Sequence, residues 1–134
     1  MEKAIPFGEL KTKENDNQFT PFDLQMWNKR VFGEMDFGAT FKRLENRETN
    51  WNSKYIYDDK VCQTITSTSG SKLISYSEPR HLNNNELKKC GTYPLDYNFK
   101  SIEPKYLIGM SVPPVMTAQI SHQIYLKWLI KIKQ

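Results

Sequence analysis

The feature that most constrains this chain is its C-terminal run, PPVMTAQISHQIYLKWLIKIKQ. Pro113 and Pro114 suit the start of a helix, and the spacing that follows predicts a helix over residues 115–131. Apolar residues recur along it in two adjacent stripes, one with Ile120, Ile124 and Trp128 and the other with Tyr125, Leu129 and Ile132. So wide an apolar surface needs a cover. Either both stripes pack on this chain's own strands, or one stripe faces another domain or another copy of the chain.

The rest of the composition offers limited material to cover such a helix. The 134 residues suffice for one compact domain or a fragment of a larger one, and 38% are apolar, with 7 Phe, 7 Tyr and 3 Trp. The net charge is +4, and residues 68–134 carry 9 Lys/Arg against 4 Asp/Glu. This balance argues against an acidic mimic of nucleic acid. It is compatible with a modestly basic surface that meets a polyanion.

Several functional classes have no support in the sequence. No apolar run is long enough to span a membrane, and the N-terminal residues lack the apolar core of a signal peptide. Two cysteines and two histidines form neither a disulfide framework nor a zinc motif, and no nucleotide-binding or hydrolase motif is present. We therefore expect a reduced, cytoplasmic chain with no membrane association and no metal site.

Local signals also predict three shorter helices. Thr20 can cap a helix over 21–32, because Pro21 follows it and Asp23 stands three positions after the cap. The aromatic residues within 34–54 predict a second short helix with its cationic side chains outward. Asn83 and Glu86, at the capping-box spacing, predict a third helix that ends at a glycine after about two turns.

Residues that favour strands cluster in the middle of the chain. They predict strands over 55–57, 61–67 and 73–76, with polar turns between them. Together with the helices, these strands indicate an α+β fold, made of a small strand-rich region, short helices and a long C-terminal helix. We divide the chain into residues 1–76 and residues 77–134, which form one structural unit.

Three sequence blocks follow one another in a recognisable order. They read QTIT at 63–66, RHLNNNE at 80–86 with YPLDY at 93–97, and IGMSVPP at 108–114. Their order and spacing resemble the C-terminal part of DNA cytosine-5 methyltransferases of phage and bacterial type. That family usually reads P-T-I-T, then R-x-L-T-x-x-E before a P-x-x-F, then I-G-N-A-V-P-P. Residues 1–60 have a looser likeness to the family's target-recognition segment.

The chain departs from this family in specific places. Met110 stands where the family has Asn, Asn83 replaces Thr, and residues 88–91 replace an A-R-L-Q run. The family's catalytic domain, which has a Rossmann-like fold, has no counterpart in this sequence, because the glycine-rich cofactor block, the Pro-Cys-Gln nucleophile loop and the Glu-Asn-Val block are all missing. Cys62 is not that nucleophile, since Val61 stands in place of the proline.

The resemblance implies a set of DNA-binding residues in the recognition loops. Cations and amides there would contact phosphates and base edges. The candidates are Lys42, Arg43, Arg47, Asn52, Lys54, Ser67, Thr68, Ser69 and Lys72. By the same resemblance, Met110, Ser111 and Val112 would line part of an S-adenosylmethionine pocket.

Two functions from different classes follow from these observations. In the first, the chain is the DNA-recognition and C-terminal portion of a DNA (cytosine-5-)-methyltransferase. It would bind double-stranded DNA, have no catalytic residue of its own, and be inactive without a separate catalytic domain or subunit that brings the S-adenosylmethionine site. In the second, it is a free-standing, non-catalytic module that binds DNA or protein. In either case, residues 115–131 could form a homodimer.

Overall fold

Helices dominate the architecture, with one small sheet in the middle of the chain. The computed structural model describes residues 4–14, 19–68 and 72–132. The elements are, in chain order, α1 (Phe7–Leu10), α2 (Pro21–Asn28), α3 (Phe37–Glu45), β1 (Lys54–Ile56), β2 (Leu73–Ser75), α4 (Asn84–Cys90), α5 (Pro104–Met110), α6 (Pro114–Ile124), a π-helical segment (Tyr125–Leu129) and α7 (Ile130–Ile132). This mixture of helices and a small sheet is compatible with the predicted α+β class.

The sheet consists of two parallel strands, β1 and β2. Tyr55 pairs with Ile74, and Ile56 pairs with Ser75. The predicted strands over 55–57 and 73–76 are therefore confirmed in position, but the predicted strand over 61–67 is wrong. The carbonyls of Thr66 and Thr68 accept hydrogen bonds from the Lys105 ammonium at 2.9 and 2.7 Å, so a side chain takes the place of a neighbouring strand.

The capping signals predicted the helix starts correctly. Thr20 and Asp23 form a reciprocal capping box at the start of α2, and Asn83 and Glu86 form one at the start of α4. The helix predicted over 21–32 ends earlier than expected, at Asn28. The chain turns there because the carboxylate of Glu34 accepts the Val31 N–H at 2.9 Å, and Gly33 takes a φ of 96° that favours glycine.

Two helices, α1 and α5, were not predicted. Residues 104–110 form α5, with Pro104 at its first position. The helix forms because Ile108 has a buried site beneath it. Gly109 then lies so close to the backbone at Thr66 and Ser67 that a Cβ at this position would be 2.4 Å from the Ser67 nitrogen.

The core consists of two apolar clusters. The first contains Phe7, Ile56, Leu73, Leu82, Leu87, Phe99 and Ile108. The second contains Met26, Phe37, Tyr55, Tyr57 and Ile74. Alternate residues of each strand belong to different clusters, because successive side chains in a strand point to opposite faces. The small sheet therefore separates the two clusters and contributes to both.

A buried ion pair connects the sheet to α4. Arg80 donates two hydrogen bonds of 2.8 Å to the carboxylate of Glu86, and the two side chains are only 3% and 0% exposed. The same carboxylate accepts the backbone N–H groups of Thr12 and Asn83, both at 3.1 Å. The hydrogen bonds that Arg80 donates to Glu86 raise the pKa of Arg80 despite its burial, so the guanidinium stays charged.

Loss of this pair should be costly. We expect Glu86→Gln to lower the free energy of unfolding by about 3–5 kcal/mol, because the buried Arg80 guanidinium then keeps only the half-exposed carboxylate of Glu78 as a counter-charge. Urea denaturation followed by circular dichroism measures this change. The control is Glu48→Gln, which removes the partner of Lys42 at a site that is 79% exposed and should leave stability unchanged. Equal effects of the two substitutions would contradict the structural role of Glu86.

The predicted terminal helix is present, but it does not pack on the two strands. We call the continuous stretch formed by α6, the π-helical segment and α7 the terminal helix (114–132). None of its described residues is buried. Near its start, the Val115 N–H donates to the hydroxyl of Thr92 at 3.2 Å. Of the two alternatives that the sequence left open, the structure therefore favours a stripe that faces something outside this chain.

Candidate functional site

Two of the predicted DNA-binding cations on α3 are already paired with carboxylates. Lys42 forms an ion pair with Glu48. The Arg43 Nε donates to the carboxylate of Glu34 at 2.7 Å. Burial tends to raise the pKa of Glu34, but hydrogen bonds from Arg43 and Thr40 hold it below its ordinary value. Phosphate contacts by these two cations would therefore compete with partners inside the chain.

The next two candidates lie beyond the end of α3. The Arg47 guanidinium sits over the ring of Phe41, with 5.2 Å to the centroid. Asn52 lines a surface cavity of about 310 Å³ together with Lys42 and Trp51. The structure thus brings Lys42 and Asn52 to one concave surface, which is a shape that could accept a polar ligand.

Lys54 and Lys72 meet at the edge of the sheet. The backbone N–H of Lys54 donates to the Lys72 carbonyl at 2.8 Å. This hydrogen bond stands at the start of the sheet, where Lys54 pairs with Leu73. The ammonium of Lys72 is 3.9 Å from a carboxylate oxygen of Asp23. These two cations are neighbours in the fold, although they are far apart in the sequence.

The turn candidates have a structural role. Ser67 lies against Gly109, and the Thr68 carbonyl accepts a hydrogen bond from Lys105. Ser69 lies outside the described residues. Sequence reasoning assigned nothing to Lys105, which is buried and bridges the segment before the turn to α5. A lone lysine near a proline carries no signal of such a contact.

The residues that the resemblance assigned to a cofactor pocket lie at the end of α5. The side chains of Met110 and Val112 are 65% and 59% exposed. The hydroxyl of Ser111 accepts from the Tyr93 phenol at 2.7 Å and donates to the Ile108 carbonyl at 2.9 Å. Two exposed apolar side chains therefore flank a serine whose hydroxyl has partners within the chain.

The terminal helix is the largest apolar feature of the surface. Ten of its large apolar side chains are 42–78% exposed: Val115, Met116, Ile120, Ile124, Tyr125, Leu126, Trp128, Leu129, Ile130 and Ile132. Its described residues include Lys127 and Lys131 but no Asp or Glu. A contiguous apolar surface of this kind is typical of an interface.

His81 lies between the candidate cations and α2. Its Nε2 atom is buried, has no hydrogen-bond partner among the described residues, and is 3.8 Å from a carboxylate oxygen of Asp23. Burial holds the pKa of His81 below its ordinary value, and the Lys72 ammonium adds to this effect against the opposing influence of Asp23. The imidazole is therefore neutral at neutral pH.

Comparison with models of protein families, with curated proteins and with solved structures finds no match to this chain. Among residues 4–14, 19–68 and 72–132, no helix has both the length and the apolar character needed to cross a lipid bilayer. Over the same residues, no three histidine, cysteine or acidic side chains come together as metal ligands. The chemistry of the chain must therefore be argued from its own surfaces.

Acid should destabilise the fold through His81. Its pKa is lower in the folded chain than the ordinary value of 6.5, so below pH 6.5 the unfolded chain takes up a proton that the folded chain does not. We expect stability to fall as the pH decreases from about 6.5 to 5, before Glu34 and Glu78 protonate below 4.5. His81→Gln should remove this decline in urea titrations at several pH values. His122→Gln, at an exposed position, should retain it, and a decline unchanged in His81→Gln would contradict the assignment.

The isolated chain should associate through its terminal helix. Burial of each large apolar side chain is worth roughly 1.5–3 kcal/mol, so several together can hold a dimer with antiparallel helices. We expect a dimer or higher oligomer in light scattering, and a soluble monomer with an unchanged sheet when Ile124→Asp and Trp128→Asp are combined. Gln119→Asp adds a charge on the side of the helix opposite the two stripes and should stay associated. A clean monomer of the unmodified chain at high concentration would contradict this prediction.

Proposed function

We propose that this chain is the DNA-recognition and C-terminal portion of a DNA (cytosine-5-)-methyltransferase. It would require a separate catalytic half to methylate cytosine in double-stranded DNA. The observation that carries this proposal is the uncovered terminal helix. Its apolar surface is long and continuous, and none of its described residues is buried against the sheet or the short helices. This exposure is expected of a segment whose partner domain is missing.

The arrangement of the three resembling blocks supports the proposal. Gly109 of the last block lies against Thr66 of the first, at a distance that only a residue without a side chain allows. Gly91, just beyond the α4 helix of the middle block, lies equally close to the Ile108 side chain, so that a Cβ there would be 2.6 Å from it. Segments that are distant in the sequence thus converge at one place, next to the start of the terminal helix.

The cofactor candidates would form one wall of a binding pocket. Met110 and Val112 offer apolar surface beside the terminal helix, where an adenosyl group could lie, while the hydroxyl of Ser111 holds the turn between them. The catalytic half would supply the groups that hold the polar end of the cofactor. S-adenosylmethionine, when bound there, supplies the methyl group.

The DNA-binding surface in this proposal contains two patches. One is the cavity of Lys42 and Asn52, and the other is the pair of Lys54 and Lys72 at the sheet edge. The cations would anchor phosphates, and the asparagine could read a base edge. Because carboxylates already pair with Lys42 and approach Lys72, this surface positions DNA weakly on its own and gains from a second protein surface.

Reconstitution with a catalytic half tests the proposal. Neither the chain nor a methyltransferase catalytic domain that lacks its recognition region should transfer methyl groups to DNA alone, and their mixture should. The chain alone should show no S-adenosylmethionine binding in calorimetry. Trp128→Asp should reduce transfer by the mixture, because it places a charge in the apolar interface, and Gln119→Asp, on the opposite side of the helix, should not. An inactive mixture, or tight cofactor binding by the chain alone, would overturn the proposal.

The alternative function is a free-standing module that binds DNA or protein without catalysis. The pairing of the predicted cations favours its protein-binding form, because Lys42, Arg43 and Lys72 each have a carboxylate nearby that contacts with phosphate would have to displace. Under the methyltransferase proposal, DNA binding by the chain alone should be weak and salt-sensitive, with a Kd of roughly 10⁻⁴–10⁻⁶ M.

Fluorescence anisotropy with duplex DNA at several salt concentrations distinguishes the two. Lys54→Ala combined with Lys72→Ala should reduce the slope of log K against log salt by up to about 2, uniformly across sequences, if both cations contact phosphates. Lys60→Ala, at an exposed position outside both patches, is the control. Nanomolar, salt-independent binding to a single sequence would favour the free-standing module.

A further inference from the structure

The two cysteines of the chain meet in the fold. Cys62 and Cys90 are both half-buried, and both pack against the first apolar cluster. They line one cavity of about 290 Å³, whose other walls include Ser111 and Met116. One cysteine precedes the QTIT segment and the other ends α4, so their meeting depends on the tertiary structure alone.

The titrations of the two thiols are linked. The hydrogen bond between them lowers the pKa of Cys62 below its ordinary value, while burial and the nearby Glu86 act in the opposite direction. The same hydrogen bond raises the pKa of Cys90, and burial adds to that effect. The pair therefore loses its first proton more readily than its second, because the remaining thiol stabilises the thiolate beside it.

We propose that Cys62 and Cys90 form a reversible intramolecular disulfide site, with a small disulfide such as oxidised glutathione as the oxidant. The site is independent of the proposed methyltransferase function. Its basis is the position of both half-buried cysteines on the wall of one cavity, where they pack against the same apolar cluster.

The chemistry balances in two exchanges. The thiolate of one of the two cysteines attacks one sulfur of oxidised glutathione, the glutathione S–S bond breaks, and one glutathione thiolate leaves and takes up a proton. The other cysteine then loses its proton to solvent, and its thiolate attacks the cysteine sulfur of the mixed disulfide. The second glutathione leaves as a thiolate and takes up a proton. Overall, the two cysteines lose two electrons and two protons, and one oxidised glutathione becomes two reduced molecules.

The bond would constrain the part of the chain that carries the second DNA-binding patch. The loop that it closes runs from position 62 to position 90 and contains Lys72 and β2. It would also fix the floor of the cavity beneath Met116, where the terminal helix leaves the core. Oxidation should therefore restrict the motion of β2 and of the first turn of the terminal helix.

Equilibration of the full chain in glutathione buffers tests the site. After acid quenching and alkylation with iodoacetamide, intact mass spectrometry should show that both thiols disappear together, without a glutathione adduct, as the buffer becomes more oxidising. Non-reducing gel electrophoresis should show a monomeric chain. The melting temperature should rise by about 10 °C on oxidation, as expected for closure of a loop of this length. Two thiols that stay alkylatable in fully oxidised glutathione, or disulfides only between chains, would overturn the proposal.

Single substitutions test whether the two thiols react with each other. Cys90→Ser and Cys62→Ser should each stop at a stable mixed disulfide of the remaining cysteine with glutathione, because no second thiol is left to resolve it. Circular dichroism checks that both variants fold, since serine has nearly the same shape as cysteine. A stable glutathione adduct of the same extent on the unmodified chain would refute the proposal, because it would mean that the two cysteines do not react with each other.

Discussion

The buried ion pair of Arg80 and Glu86 is the interaction on which the rest of the structure depends. A carboxylate that is fully removed from water requires charge-assisted partners, and Glu86 has four hydrogen bonds from three separate places in the chain. Asn83 extends the network, because its amide donates to the Thr12 hydroxyl at 2.6 Å and to the Glu14 carbonyl at 2.8 Å. The N-terminal segment, the turn after β2 and the start of α4 are therefore held in one relative position.

The sheet and the two apolar clusters follow from that arrangement. Arg80 lies just after β2, and the His81 backbone bridges back to Ile74, so the ion pair also fixes the second strand. The first cluster then provides the buried site for Ile108 that holds α5. Among the described residues after α5, none is buried, so the terminal helix leaves the core with its side chains uncovered.

This division of the molecule explains why its function is proposed to be shared with a partner. The well-packed part offers modest polar surfaces, in which carboxylates of the same chain offset several cations. The terminal helix has the exposed apolar surface that most needs a partner. In the proposed function, the protein surface that covers this helix would also bring additional charge and a catalytic centre to the DNA. The two cysteines lie at the junction of these parts, where the helix begins.

The sequence by itself determined the features that depend on neighbouring residues. Capping boxes at Thr20 and Asn83 identified two helix starts, because a cap is satisfied within one turn. The terminal helix was predictable for the same reason, since its apolar periodicity is local. A carboxylate at the third helical position, Glu86, was also predictable as a cap, but its second role in binding Arg80 was not.

Only the tertiary structure decided the remaining features. The segment 61–67 has the composition of a strand, yet the Lys105 ammonium donates to the carbonyls of Thr66 and of Thr68 just beyond it, and nothing in the sequence relates those positions. Helix α5 forms over a buried site that other segments create. The meeting of Cys62 with Cys90 and the pairing of the predicted cations with carboxylates likewise depend on distances in space. Local hydrogen bonds depend on residues that are close in the sequence, whereas burial and long-range charge pairing exist only once the chain has folded.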